Sequence, residues 1–228
     1  MTDERHRRNG WRRRLYLPAY TTVEAARFAQ TKPGTVGYWH YGTGTRVGPA
    51  LGGKKRYAPL SYLQLVEVAF AASFRHRGVS LQRIRKAHDY VAKVFRAEFP
   101  FAQYEFKTEG IHVLMDAASV EPHFKELIVA DEAGQMAWER VLLERFEQFD
   151  YEQDLAVRWH LRGRDVPILI DPRISFGAPV LEGTGIATWV LKGRFEAGET
   201  LKEIENDFGV PQRDILYALE FEHVKVAA

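Results

Sequence analysis

Five glycines fall within the 12 residues from Gly42 to Gly53, and that density excludes a helix there. The chain on both sides reads as helix. Before the run, Thr21 or Thr22 caps a short helix over residues 23–30. Val23, Ala26 and Phe28 are its expected buried side chains, and small Ala25 and Ala29 permit close packing. Thr31-Lys32-Pro33-Gly34 breaks it, and a second short helix spans residues 35–41. After the run come Lys54-Lys55-Arg56, then a long apolar helix over residues 61–77 carrying Leu63, Val66, Phe70 and Phe74 at three- and four-residue steps. Ser80 caps a further helix over residues 81–98, with Ile84, Ala87, Val91, Val94 and Phe95 on one side. Helix, tight turn, helix and glycine-rich hairpin within about 35 residues have the spacing of a winged helix-turn-helix.

The charge is divided along the chain. Residues 1–96 hold 19 Lys/Arg against 5 Asp/Glu, a net +14. Residues 97–228 hold 13 against 25, a net −12. A basic half attracts a polyanion, because neutralising phosphates releases condensed counterions. An acidic half repels nucleic acid and is free to meet another partner. Six arginines between Arg5 and Arg14 mark residues 1–15 as a basic flexible arm, which either follows a DNA backbone or groove or is a solvated tail.

The middle, residues 99–170, has a different texture. Residues 104–106 and 111–115 are strand-like runs around Glu109-Gly110, and a helix is expected over residues 132–148. Residues 155–160 and 168–170 are strand-like again, with Arg162-Gly163-Arg164-Asp165 turning between them, and together these runs suggest one small antiparallel sheet. From residue 171 the pattern returns to helix, over residues 187–197, 201–208 and 211–224. Gly198 and Gly209 stop the first two, and Thr200 with Glu203 forms a capping box. The expected fold class is mainly α with small antiparallel β elements. It comprises an arm (1–15), a winged helix-turn-helix (16–98), a linking region (99–170) and a C-terminal helical domain of helix-turn-helix shape (171–228).

The chemistry of catalysis is not legible. There is no phosphate-binding glycine loop with its lysine, no HExxH and no GxSxG, so no catalytic residue, cofactor or enzymatic activity is expected. The eight histidines are scattered, and no metal site is expected. No cysteine is present, which removes disulfides and thiolate chemistry and suits a reducing cytoplasm. No apolar run approaches the roughly 20 residues of a membrane span, so no membrane partner is expected.

Recognition chemistry is present. Thr35, Tyr38 and His40 lie on the second helix, and Arg46, Lys54, Lys55 and Arg56 flank the glycine run. These seven are the candidate DNA-binding residues. Trp39 reads as core. Gly37 is unusual inside a reading helix: either it allows close backbone approach to DNA, or the helix is only a turn. Residues 171–228 hold 6 Lys/Arg against 10 Asp/Glu, the wrong sign for a second DNA reader. Ile204, Phe208, Ile215, Leu219 and Phe221 are candidate association residues there, supplying apolar surface for a homodimer or a partner; the alternative is that they form only an internal core.

Two resemblances rest on quoted motifs. Thr22-Val23-Glu24-Ala25-Ala26, Thr35, Tyr38-Trp39, Arg56-Tyr57 and Gly78-Val79-Ser80-Leu81-Gln82-Arg83-Ile84 resemble the MerR-type winged helix-turn-helix. Gly37 departs from that pattern where many members carry a phosphate-touching arginine. No long dimerising coiled coil follows. The C-terminal text Gly177-Ala178-Pro179-Val180, Gly183-Thr184-Gly185-Ile186, Ala197-Gly198-Glu199, Asp207-Phe208-Gly209-Val210 and Ile215–Phe221 resembles a short helical domain of unassigned function that occurs in antitoxins of VapBC-type systems. Together the resemblances imply an antitoxin that neutralises a PIN-type ribonuclease toxin and binds operator DNA to repress its own operon; a homodimer is expected because palindromic operators mirror two-fold proteins. The rival expectation is a one-component regulator whose second half binds a ligand or a protein.

Overall fold

The structure is a computed structural model that describes residues 10–42, 48–52, 57–104, 106–107, 109 and 142–226. Two compact units divide it: residues 1–147 with 151–156, and residues 148–150 with 157–228. The architecture is mainly helical with one small antiparallel sheet.

In the first unit, residues 10–16 are helical and bury Leu15. Tyr20 and Leu60 then form an antiparallel bridge ahead of helix α1 (Thr22–Phe28). Thr21 caps α1, and the Glu24 carboxylate accepts the Thr21 N–H at 2.8 Å, closing a capping box. The helix buries Ala25, Ala26, Phe28 and Ala29. Val23, expected inside, is 62% exposed because it lies roughly opposite that face. Helix α2 (Pro33–Tyr41) opens on a proline at its first position, where no intrahelical N–H is lost.

Helix α3 (Tyr62–His76) buries 12 of its 15 residues, which makes it the centre of this unit rather than a surface helix. Helix α4 (Leu81–Phe95) is amphipathic and buries Ile84, Ala87, His88 and Val91. Val94, expected on the inner side, is 46% exposed. A 3₁₀ turn (Pro100–Ala102) then inserts Phe101 into a cluster with Phe70, Phe106 and Phe146, ring centroids 4.9–6.0 Å apart. Residues 104, 106 and 107 are helical, in place of the expected strand. Gln103 makes one bridge to Leu155, after which the chain turns so that Phe106 reaches that cluster. The expected strand over 111–115 and most of the expected helix over 132–148 lie outside the described residues; residues 142–147 are helical.

Four strands follow in sequential order: β1 (Phe149–Glu152), β2 (Leu155–His160), β3 (Ile168–Ile170) and β4 (Val180–Leu181). Gln153 and Asp154 connect β1 to β2 with φ of 47° and 68°, the double left-handed geometry of a tight hairpin. Trp159 pairs with Ile170, and Leu169 with Val180. The second unit continues with helices α5 (Thr188–Glu196), α6 (Leu201–Phe208) and α7 (Gln212–Phe221). Gly198 and Gly209, at φ of 97° and 65°, end α5 and α6 as their positions imply.

Candidate functional site

The described part of the candidate DNA-reading face is α1, its turn and α2. Tyr38 is 37% exposed on α2 and Thr35 is half-buried. His40 points inward: it is 1% exposed and its Nδ1 donates to the Gly52 carbonyl at 3.0 Å. That corrects its expected place among outward-reaching groups, since a buried ring that holds the glycine-rich segment does not reach a base. Trp39 is buried, as expected of a core residue. Gly37 has no packing reason to be glycine. A Cβ there would meet only the Tyr41 ring, at an ordinary 3.6 Å.

Arg46, Lys54, Lys55 and Arg56 lie outside the described residues. What the structure does place are the flanks of the glycine run. Arg85 of α4 donates from Nε to the Pro49 carbonyl at 3.0 Å and from Nη2 to the Gly48 carbonyl at 2.8 Å. The Ala50 and Leu51 N–H groups donate to the Trp39 carbonyl, and the Tyr57 N–H to the Tyr41 hydroxyl. The run is thus tied to α2 and α4 at its flanks.

Inside the first unit, Glu67 of α3 faces His88 of α4, with Nε2 and Oε2 2.9 Å apart. Both are buried, and Glu67 also accepts the Phe101 N–H at 2.8 Å. Burial pushes the His88 imidazole down, but the Glu67 and Asp89 carboxylates outweigh it and raise it to about 9. This pair fastens the 3₁₀ turn to two helices and is structural.

The second unit holds a charged network on its strands. Asp150 accepts from Arg164 at 2.7 Å, Arg158 at 3.1 Å and His160 at 3.2 Å. Buried Asp171 pairs with Arg173 at 2.7 Å and Arg158 at 3.4 Å. Burial pushes both carboxyls up, yet hydrogen bonds from the arginines hold them below the usual range. Carboxylates kept ionised in this way hold their arginine partners and tie the strands of the unit together. Among the described residues no group of three or more His, Asp or Glu side chains is placed to hold a metal ion.

The association residues are corrected by their burial. Ile204, Ile215 and Leu219 are fully buried and Phe221 is 4% exposed, all within the packing of α5, α6 and α7. Phe208 is half-buried under the Arg194 guanidinium, 5.3 Å from its ring centre. Ile204, Ile215, Leu219 and Phe221 form the core of the unit and leave no surplus surface, while Phe208 stays half-buried.

The exposed apolar groups lie elsewhere, at residues that the sequence pattern does not single out. Trp189 is 61% exposed on α5, and Phe176 is 94% exposed. Phe176 sits in a run of three left-handed residues, Ser175, Phe176 and Gly177, at φ of 45°, 55° and 82°. Each of the two non-glycine residues costs roughly 1–2 kcal/mol in that conformation.

With this geometry in place, comparison with known proteins gives a class first. Residues 168–221, from β3 through α7, match the family described as "Protein of unknown function (DUF433)". Among individual proteins, the chain is 27% identical over 227 residues to the Mycobacterium tuberculosis protein named "Putative antitoxin VapB45", covering 91% of this chain and 95% of that one. It is also similar to the crystal structure of Rv2018 from Mycobacterium tuberculosis, with a TM-score of 0.76 and 25% identity over 90% of this chain and 99% of that chain.

Proposed function

We propose that this chain is an antitoxin. Its basic N-terminal half binds operator DNA, and its acidic C-terminal half holds and silences a ribonuclease toxin of the PIN type, so that the pair represses its own operon. The observation that carries this is the likeness, over 91% of the chain, to a protein named as an antitoxin. The division into a +14 and a −12 half supports it physically. A nuclease that handles RNA presents a basic surface, and an acidic partner covers such a surface by charge complementarity. On the DNA side, Thr35 and Tyr38 of α2 act with Arg46, Lys54, Lys55 and Arg56 of the wing, while His40 only braces the wing. A homodimer matches the two-fold symmetry of a palindromic operator.

The test is co-expression with the product of the adjacent reading frame, followed by purification and binding to the DNA upstream of the pair. A stable complex that shifts that DNA, with affinity falling steeply with salt, is the expected result. A chain that purifies alone, with DNA affinity set by an added small molecule, would make it a one-component regulator instead.

A further inference from the structure

We infer that Phe176 and Trp189 are the anchor side chains by which the second unit grips a protein partner with a basic surface and apolar pockets. This rests on the antitoxin reading, in which that partner is the toxin.

Phe176 gains nothing from its own fold. At 94% exposure it packs on almost nothing, yet the backbone holds it in a left-handed run that disfavours any side chain with a Cβ. A glycine would sit there without strain. Strain retained at an exposed aromatic is the signature of a position kept for binding rather than stability.

The strained turn is also tied down by hydrogen bonds. The Ser175 hydroxyl donates to the Gly185 carbonyl at 3.0 Å, and the Gly177 and Ala178 N–H groups donate back to Ile174 and Ser175. Ile174 packs on the cluster of Leu169, Val180 and Ala187. Val190 of α5 packs on the same cluster, next to exposed Trp189. The two rings are therefore carried by one small core. A backbone tied in place before binding leaves only the side-chain rotamers to order on docking, and an aromatic ring has few of them, which is how a few residues come to dominate an interface.

Charge selects the occupant. The second unit carries 12 acidic against 9 basic side chains, a net −3. Exposed Glu182 follows β4, while Glu196, seven residues after Trp189 on the same face of α5, is paired with Lys192 at 3.7 Å, so the attraction rests on Glu182 and the net charge of the unit. A second copy meeting this surface through the same unit would bring like charge, whereas a basic protein would be attracted to it; contact with the basic half of a second copy is the outcome that the homodimer measurement reads.

The experiment uses the full chain and the purified product of the adjacent reading frame as probe. Binding is measured by titration calorimetry for wild type, Phe176→Ala, Trp189→Ala and Phe176→Gly. Each variant is expected to bind roughly 30-fold more weakly, the loss expected of a truncated anchor. Phe176→Gly should also melt at a higher temperature than wild type, because the backbone strain is relieved even as the anchor ring is removed. Wild-type affinity in the Phe176 and Trp189 variants overturns the assignment and leaves the antitoxin reading standing. So does a homodimer that dissociates in these variants while partner affinity is retained, since the patch would then belong to a second copy. A wild-type chain that does not bind the probe overturns the antitoxin reading, and this assignment with it.

Discussion

Glu67 of α3 and His88 of α4 meet at 2.9 Å in the interior of the first unit, and the Glu67 carboxylate simultaneously accepts the Phe101 N–H. Three segments are thus joined through one carboxylate. Removing His88 leaves the buried Glu67 carboxylate without its counter-charge, with only the Phe101 N–H to satisfy it, which costs about 3–5 kcal/mol. His88→Ala should therefore lower the stability of the first unit by that order, measured by denaturant unfolding.

The same pair sets an alkaline limit. The His88 imidazole is raised to about 9 from an unfolded value of about 6.5, so the folded state holds its proton more tightly. Its stabilising contribution is complete below about pH 6.5 and fades as pH rises through about 9. Wild type should lose stability over that window, and His88→Ala should show a flatter profile. Equal slopes in the two proteins would assign the alkaline loss to other groups.

Leu219 is fully buried among α5, α6 and α7. Leu219→Asp should cost more than the roughly 2–5 kcal/mol of a Leu→Ala truncation, because a charge also enters the core. Loss of C-terminal helix by circular dichroism is the expected outcome. A folded variant that has only changed its oligomeric state would return Leu219 to an association role.

Gly37→Ala separates packing from approach. The added methyl meets only the Tyr41 ring at 3.6 Å, and alanine favours helix by about 0.5–1 kcal/mol. The variant should be slightly more stable, yet bind operator DNA less tightly where the helix backbone lies against it. Unchanged DNA affinity would mean that this part of α2 does not approach the duplex closely.

How much of the fold and of the site is legible in the sequence depends on what each residue answers to. The C-terminal helices are legible because their ends are local: Thr200 with Glu203, Gly198 and Gly209 act within their own turns. Strands β2 and β3 show as short apolar runs around a glycine turn. β1 is hidden, because Phe149-Asp150-Tyr151-Glu152 directly follows a helix and its hairpin uses Gln153-Asp154 without a glycine. The buried state of Ile204, Ile215 and Leu219 cannot be separated from an interface by sequence, since periodicity marks an apolar face and not what covers it. His40 departs from expectation, and Phe176 is a residue on which the sequence pattern is silent. One is a polar ring turned inward and the other an aromatic turned outward, and both are decided by tertiary packing.

The wing carries a prediction of its own. Replacing Lys54, Lys55 and Arg56 with alanine should weaken binding to every DNA sequence tested. It should also reduce the salt dependence by about 0.9 log units for each phosphate that is no longer neutralised. Unchanged affinity and an unchanged salt slope in a gel-shift titration would remove the wing from the interface.

The central claim is tested most directly by growth. Cells expressing the product of the adjacent reading frame alone should arrest, and co-expression of this chain should restore growth while intracellular RNA cleavage stops. Arrest that persists despite a folded, abundant chain, or growth that never arrests, would contradict the account.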